Sequence, residues 1–200
     1  GGEVSGTIDE LIRHSVSKLS HIHLATNKDA KKRLLQLGEL ESSIFIIGSP
    51  DLDLMNSENL PTLEKAKDYY NIIYNKYAIA MFHPVTTECK DIRKNIKDFV
   101  DAIIESKLNY VLIYPNNDLG SIEILEEYKR LENNSKIKIF PSLRFEYFLK
   151  LLKNAIFMIG NSSAGIREAP YFSVKSIDIG TRQLNRVNLD SVIHSEYELV

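Results

Sequence analysis

The sequence predicts an α/β fold built on parallel β-sheet, in two parts of unequal size. Short apolar runs alternate with segments of helical period along nearly all of the 200 residues. Their spacing is that of βαβ units, which require a parallel sheet. A polar stretch at 51–62, with one proline and no period, reads as a linker between a partial first unit at 1–57 and a more complete second unit at 58–200.

The elements follow in chain order. Apolar residues at Ile8, Leu11, Ile12, Val16 and Leu19 form the stripe of an amphipathic helix. Thr7 is its expected N-cap, with Glu10 completing a capping box. "HIHLAT" is a short strand, 29–39 a second helix stopped near Gly38, and "SSIFIIG" a buried strand. After the linker, "KYAIAMF" is a strand that halts at His83-Pro84, and a helix is expected at 90–106. "NYVLIYP", "KIKIF", "AIFMIG" and "KSIDIG" are further strands. Helices are expected at 122–131 and 145–152, and a short one opening at 164–169.

Composition narrows the function. Apolar residues make up 44% and charged residues 26%, ordinary proportions for a soluble domain. A net charge of −2 gives no electrostatic case for a nucleic-acid partner. A lone cysteine, Cys89, suits a reducing compartment, and a cytoplasmic location is expected. No apolar run approaches the roughly 20 residues of a membrane span. The chain opens at "GGEVSG" without methionine and closes at "SEYELV", so an excerpt from a longer protein is expected.

In open parallel sheets, ligands sit beyond the carboxyl ends of the strands. Several chemically capable residues fall there. In "GNSSAGIREAP" small residues allow backbone to approach a ligand, a helix N-terminus offers N–H groups, and Ser162 and Ser163 add hydroxyl donors. That set suits a phosphate, with Glu168 placed to accept from a ribose hydroxyl; a tight strand-to-helix turn with a serine cap would use the same residues. The G-x-S-x-G elbow fails at Ala164, and no P-loop occurs. His83 in "FHPVTT" ends a strand, where it can donate to a phosphate, move a proton or simply brace the turn. No histidine spacing supports a metal site. In "GGEVSGTIDELIRH", Glu3 follows two glycines at an expected strand end, while Glu10, Arg13 and His14 share a helix face. In "GTRQLNR", Arg182 and Arg186 are either phosphate ligands or plain surface arginines.

Taken together, "GGEVSGTIDELIRH", "FHPVTT", "YPNNDLGS", "GNSSAGIRE" and "GTRQ" resemble the hydrolysing UDP-N-acetylglucosamine 2-epimerases, in family order and across nearly the whole chain. The sialic-acid and legionaminic-acid branches are the nearest in appearance. The resemblance implies two facing Rossmann-like domains of the glycosyltransferase-B type. This chain would supply an incomplete N-terminal domain and most of the C-terminal one. It implies elimination of UDP from an acetamido sugar and hydration of the resulting glucal. Glu3, Glu10 and His83 would be catalytic. UDP-sugar contacts would come from Arg13, Asn117, Arg144, Phe145, Ser162, Ser163, Gly165, Glu168 and Arg182. No metal, nicotinamide or other cofactor is implied, and a homodimer or homotetramer is the expected assembly. A glycosyltransferase of the same architecture and a non-catalytic UDP-sugar sensor are the rival readings.

Overall fold

A computed structural model of the chain describes residues 2, 8–56, 58, 60–85, 88, 90–184 and 189–197, apart from the side chains of Ile8 and Asp9. Glu3, Thr7, Cys89 and Arg186 therefore lie outside the described residues. The chain forms two compact units, Gly1–Glu58 and Asn59–Val200.

The first unit begins with α1 (Ile8–Leu19), β1 (His23–Ala25) and α2 (Lys28–Gln36). Asn27 caps α2 by accepting from the Ala30 amide at 2.8 Å. Gly38, at φ +82°, ends it: its N–H bonds Leu35 O, and the Glu39 N–H bonds Leu34 O, the paired closure of a Schellman motif. β2 (Ile44–Ile46) then pairs in parallel with β1, His23 opposite Ile44 and Ala25 opposite Ile46. Ala25, Ala30, Leu34 and Ile44 form the small core.

The first unit departs from the sequence reading in three places. The "SSIFIIG" strand is buried only at Ile44; Phe45, Ile46 and Ile47 are 51%, 47% and 51% exposed. The α1 stripe is also open, with Leu11 69% and Leu19 83% exposed. A sheet of two strands has a single covered face, and among the described residues nothing covers these side chains. The linker expected at 51–62 is also partly helical. Pro50–Met55 forms α3, because Ser49 is extended, proline is pre-set for the first turn, and Asp51 and Asp53 suit a helix N-terminus.

The second unit opens with α4 (Leu63–Tyr69), capped by Thr62 Oγ1 on the Lys65 amide at 3.2 Å. It continues through β3 (Ala78–Met81), α5 (Ile92–Ser106), β4 (Tyr110–Ile113) and α6 (Ser121–Tyr128). Then come β5 (Ile137–Phe140), α7 (Phe145–Lys153), β6 (Met158–Gly160), α8 (Glu168–Tyr171), β7 (Ser176–Ile179) and β8 (Val192–Ser195). All six strands are parallel, in the order β5-β4-β3-β6-β7-β8. Numbered within this sheet, the order is 3-2-1-4-5-6, that of the doubly wound dinucleotide folds. The near-continuous apolar runs of β3 and β4 are explained by burial on both faces. Phe82, Ile96, Phe99, Val100, Leu112, Ile124 and Leu131 fill one side. Leu149, Leu151 and Leu152 of α7 are buried as well, and Tyr77 donates its hydroxyl to Leu151 O at 2.8 Å.

The chain builds outward from β3 to β5 and then returns to place β6 on the other side of β3. The strand order reverses there, and a crevice at such a switch point is where open α/β sheets bind ligands. Among the described residues no helix is long and apolar enough to cross a membrane.

Candidate functional site

Gly160 and Asn161 hold the switch point together. At Gly160 φ is +134°, and a Cβ there would lie 1.9 Å from Met81 O, so only glycine lets β6 close against β3. Asn161 is fully buried. Its backbone N–H reaches Met81 O at 3.2 Å. Its side-chain Oδ1 accepts from the His83 N–H at 2.6 Å, and its Nδ2 donates to the His83 carbonyl at 2.8 Å. Its own carbonyl accepts from the Arg182 guanidinium at 3.2 Å and from Gln183 Nε2 at 2.9 Å. One residue thus joins the ends of β3 and β6 to the loop after β7.

The His83 ring is fixed from a third direction, because the Asn116 backbone N–H donates to Nδ1 at 3.0 Å. An amide can only donate, so Nδ1 is the acceptor and the neutral ring carries its proton on Nε2. Burial, together with the nearby Arg182 charge, pushes the His83 pKa down to about 4, with Asp118 pulling the other way. At neutral pH His83 is therefore an uncharged donor through Nε2–H. It is not a store of positive charge.

The serine turn differs from the expected helix opening. Ser163–Gly165 is a single 3₁₀ turn, and α8 begins only at Glu168 and is four residues long. Ser162 Oγ accepts the Ala164 amide at 3.3 Å, the Gly165 amide bonds Ser162 O at 3.0 Å, and the Ile166 and Arg167 amides both bond Ser163 O. The Ser176 hydroxyl of β7 donates to the Gly165 carbonyl and diverts it from any longer helix. Most amides expected to face a ligand are consumed in the turn. Among the described residues the Ser163 N–H and hydroxyl make no hydrogen bond, and a four-residue helix adds little dipole.

The structure brings His83, Ser162, Ser163 and Arg182 together around Asn161. Asn117 is exposed on the loop after β4, next to the Asn116 that touches His83. Gly165 and Glu168 are buried one turn beyond the serines. Arg144 and Phe145 stand apart, where β5 hands over to α7. The Arg144 guanidinium lies 5.3 Å from the Tyr69 ring centre, and Phe145 stacks on Phe148 at 6.5 Å. Glu10 and Arg13 belong to the first unit, on α1, where Glu10 pairs with His14 at 3.5 Å. Glu3 lies outside the described residues.

Three further partners are not evident from motif reading. Asn161 is one; asking which group satisfies the backbone beyond a glycine at a strand end would have singled it out. Glu88 is another. It accepts from the Tyr197 hydroxyl at 2.9 Å and from the Thr181 hydroxyl, tying the segment after His83 to the loop that carries Arg182. The third is Asp178 on β7, whose Oδ2 meets His194 Nδ1 at 2.8 Å and whose pKa is raised by burial. No motif could flag that pair, because β8 itself is not apparent in the sequence pattern.

The site therefore gathers hydroxyl, amide, guanidinium and neutral imidazole groups around Asn161 at the switch point, a set fitted to phosphate-type oxygens. Among the described residues no group of three or more His, Cys, Asp or Glu could hold a metal ion.

Comparisons with known proteins agree with this architecture. A family model described as UDP-N-acetylglucosamine 2-epimerase matches residues 1–198. The chain is 56% identical over 198 residues to the UDP-N-acetylglucosamine 2-epimerase of Neisseria meningitidis serogroup B, covering 99% of this chain and 52% of that protein. It is 41% identical over 211 residues to the GDP/UDP-N,N'-diacetylbacillosamine 2-epimerase (hydrolyzing) of Campylobacter jejuni, covering 98% of this chain and 52% of that protein. The solved structure of Methanocaldococcus jannaschii UDP-GlcNAc 2-epimerase in complex with UDP-GlcNAc and UDP shares the fold, with a TM-score of 0.74 at 23% identity over 98% of this chain and 57% of that one. The chain spans about half the length of the curated relatives it matches. With its doubly wound sheet and the match along 1–198, the chain belongs to the UDP-N-acetylglucosamine 2-epimerase family.

Proposed function

We propose that the full-length protein is a hydrolysing UDP-N-acetylglucosamine 2-epimerase that releases UDP and free N-acetylmannosamine. The observation that carries this reading is the cluster of donor groups gathered around Asn161 at the β3–β6 switch point: the Ser163 amide and hydroxyl, Arg182 and the Nε2–H of neutral His83. These groups suit the diphosphate of a nucleotide sugar. The hydrolysing outcome is supported by the name of the 41% identical relative. That name also makes the 2,4-diacetamido analogue the alternative substrate.

In the proposed reaction a base removes the C2 proton as the C1–O bond breaks. The bonding pair leaves with UDP, and a C1=C2 double bond forms. Water then adds its oxygen to C1 while a proton is delivered to C2 from the opposite face. Glu3 and Glu10 are proposed for the two proton transfers, each worth roughly 10²–10⁴-fold. His83 stabilises the departing diphosphate as a donor; the neutral ring is poorly suited to act as the acid. Ser162, Ser163 and Arg182 hold the phosphates, with Gly165 and Asn117 at the margins of the site and Arg13 on the side of Glu10. Glu168 is proposed for the ribose, and Arg144 with Phe145 for the uracil. β5 lies two strands from β3, a spacing of roughly 10 Å, which suits the base end of an extended ligand.

Chromatography of UDP-N-acetylglucosamine incubated with the full-length protein tests this. Free N-acetylmannosamine with stoichiometric UDP supports it. UDP-N-acetylmannosamine as the sole product would replace hydrolysis with simple epimerisation, and absence of turnover with both UDP-sugars would remove the enzymatic reading.

A further inference from the structure

We propose that Asn161 is a positioning residue for the reaction: its buried carboxamide fixes the His83 main chain so that the ring presents Nε2–H to the bound phosphates. This rests on the functional reading above. Three observations favour it. The Asn161 side chain is fully buried and spends both its donor and its acceptor on one residue, His83, at 2.8 and 2.6 Å. The two bonds flank the His83 Cα, so they restrain the backbone on both sides of the atom from which the ring hangs. The same residue's carbonyl receives Arg182 and Gln183, so both groups proposed to meet the phosphates, His83 and Arg182, bond one strand-end asparagine. Beyond Met81 and Gly160, the last paired residues of β3 and β6, this carboxamide substitutes for ladder hydrogen bonds the sheet no longer makes.

The chemistry demands a carboxamide. Oδ1 must accept and Nδ2 must donate, and an ionised carboxylate of the same shape cannot donate. A protonated carboxyl can do both. The variant N161D therefore carries its own switch: kcat rises relative to wild type as the introduced carboxyl takes up a proton at lower pH. In N161A both bonds are lost at every pH. Misplacing a reacting group by about 1 Å lowers turnover on the order of 10²-fold, and that is the loss expected in N161A and in ionised N161D. UDP affinity should fall far less, because the Ser163 donors and the backbone carbonyl that receives Arg182 are retained.

The experiment uses the full-length protein. Turnover of UDP-N-acetylglucosamine is measured against pH for wild type, N161A and N161D, with rates normalised to the folded fraction. UDP affinity comes from calorimetry, and the His83 ring signals from ¹⁵N NMR. Support is a loss of kcat with UDP affinity largely kept, low-pH recovery confined to N161D, and loss of the hydrogen-bonded Nδ1 signature in N161A. Wild-type kcat in both variants, or losses of kcat and affinity in equal proportion, would overturn the proposal. Should N161A fail to fold, N161D carries the same test. Should wild type show no turnover, the functional reading fails separately. The His83 ring signature of UDP-bound N161D then decides the positioning claim, and an unchanged signature overturns it.

Discussion

Replacing Ser163 with alanine should separate ligand binding from folding at the serine turn. The structure assigns the two adjacent serines different work. Ser162 Oγ is committed to the Ala164 amide at 3.3 Å and starts the 3₁₀ turn. Among the described residues the Ser163 hydroxyl has no hydrogen-bond partner, so removing it takes nothing from the folded chain. A hydrogen bond to a charged phosphate is worth about 1.5–3 kcal/mol. At 1.4 kcal/mol per decade, Ser163→Ala should weaken UDP binding by roughly 10- to 150-fold, with the unfolding temperature unchanged. Ser162→Ala should do the reverse. Losing the cap costs about 0.5–2 kcal/mol of stability, and UDP affinity falls less than in Ser163→Ala. Calorimetric titration with UDP and thermal unfolding of the full-length protein measure both quantities. Unchanged UDP affinity in Ser163→Ala, or a stability loss as large as that of Ser162→Ala, would refute the division of roles.

His83 should titrate by NMR at about 4, well below an ordinary histidine, with its neutral proton on Nε2. Since the unfolded chain takes up this proton first, His83 contributes a loss of stability that sets in as pH falls from the ordinary histidine value near 6.5 toward 4 and is absent above it. Arg182→Ala should raise the His83 pKa, and a value that stays put would dismiss the arginine's influence. His83→Ala should lower kcat far more than it lowers thermal stability; normal turnover would leave His83 a structural brace. Gly160→Ala would force a Cβ to 1.9 Å from Met81 O at φ +134°, so a loss of more than about 3 kcal/mol is expected by denaturant titration, and a mild effect would mean β6 can shift off β3. Glu10→Gln in the full-length protein should abolish turnover while sparing UDP affinity, and full activity would return Glu10 to its helical partnership with His14.

Much of the second unit was legible because its strands announce themselves. Runs such as "AIAM" and "YVLI" are apolar on both faces, and Gly or Pro punctuates their ends. Gly38 stopped α2 as its sequence suggested. What escaped detection has local causes. α3 was hidden in a polar stretch whose only helix signal is Ser49-Pro50 followed by aspartates. α4 is seven residues of mostly polar sequence, with no apolar period to set it apart from a loop. β8 alternates weakly, with only Val192 buried and Ile193 exposed on an edge strand. At the site, the donor-bearing types were readable, since serines after a glycine and a histidine before a proline attract notice. The hydrogen-bond economy was not. Ser162 Oγ takes the Ala164 amide, and Ser176 of β7 captures the Gly165 carbonyl, a contact across 11 residues that no local pattern encodes. The Asn161–His83 pair spans 78 residues, and its geometry exists only once β6 has docked beside β3.

The most direct test of the account is a time course of UDP-N-acetylglucosamine turnover by the full-length protein in D₂O, followed by NMR. Elimination across C1–C2 followed by hydration predicts UDP release at the same rate as free N-acetylmannosamine appears, with one deuterium at C2 of every product molecule. Product that keeps its C2 hydrogen, or that remains attached to UDP, would contradict it.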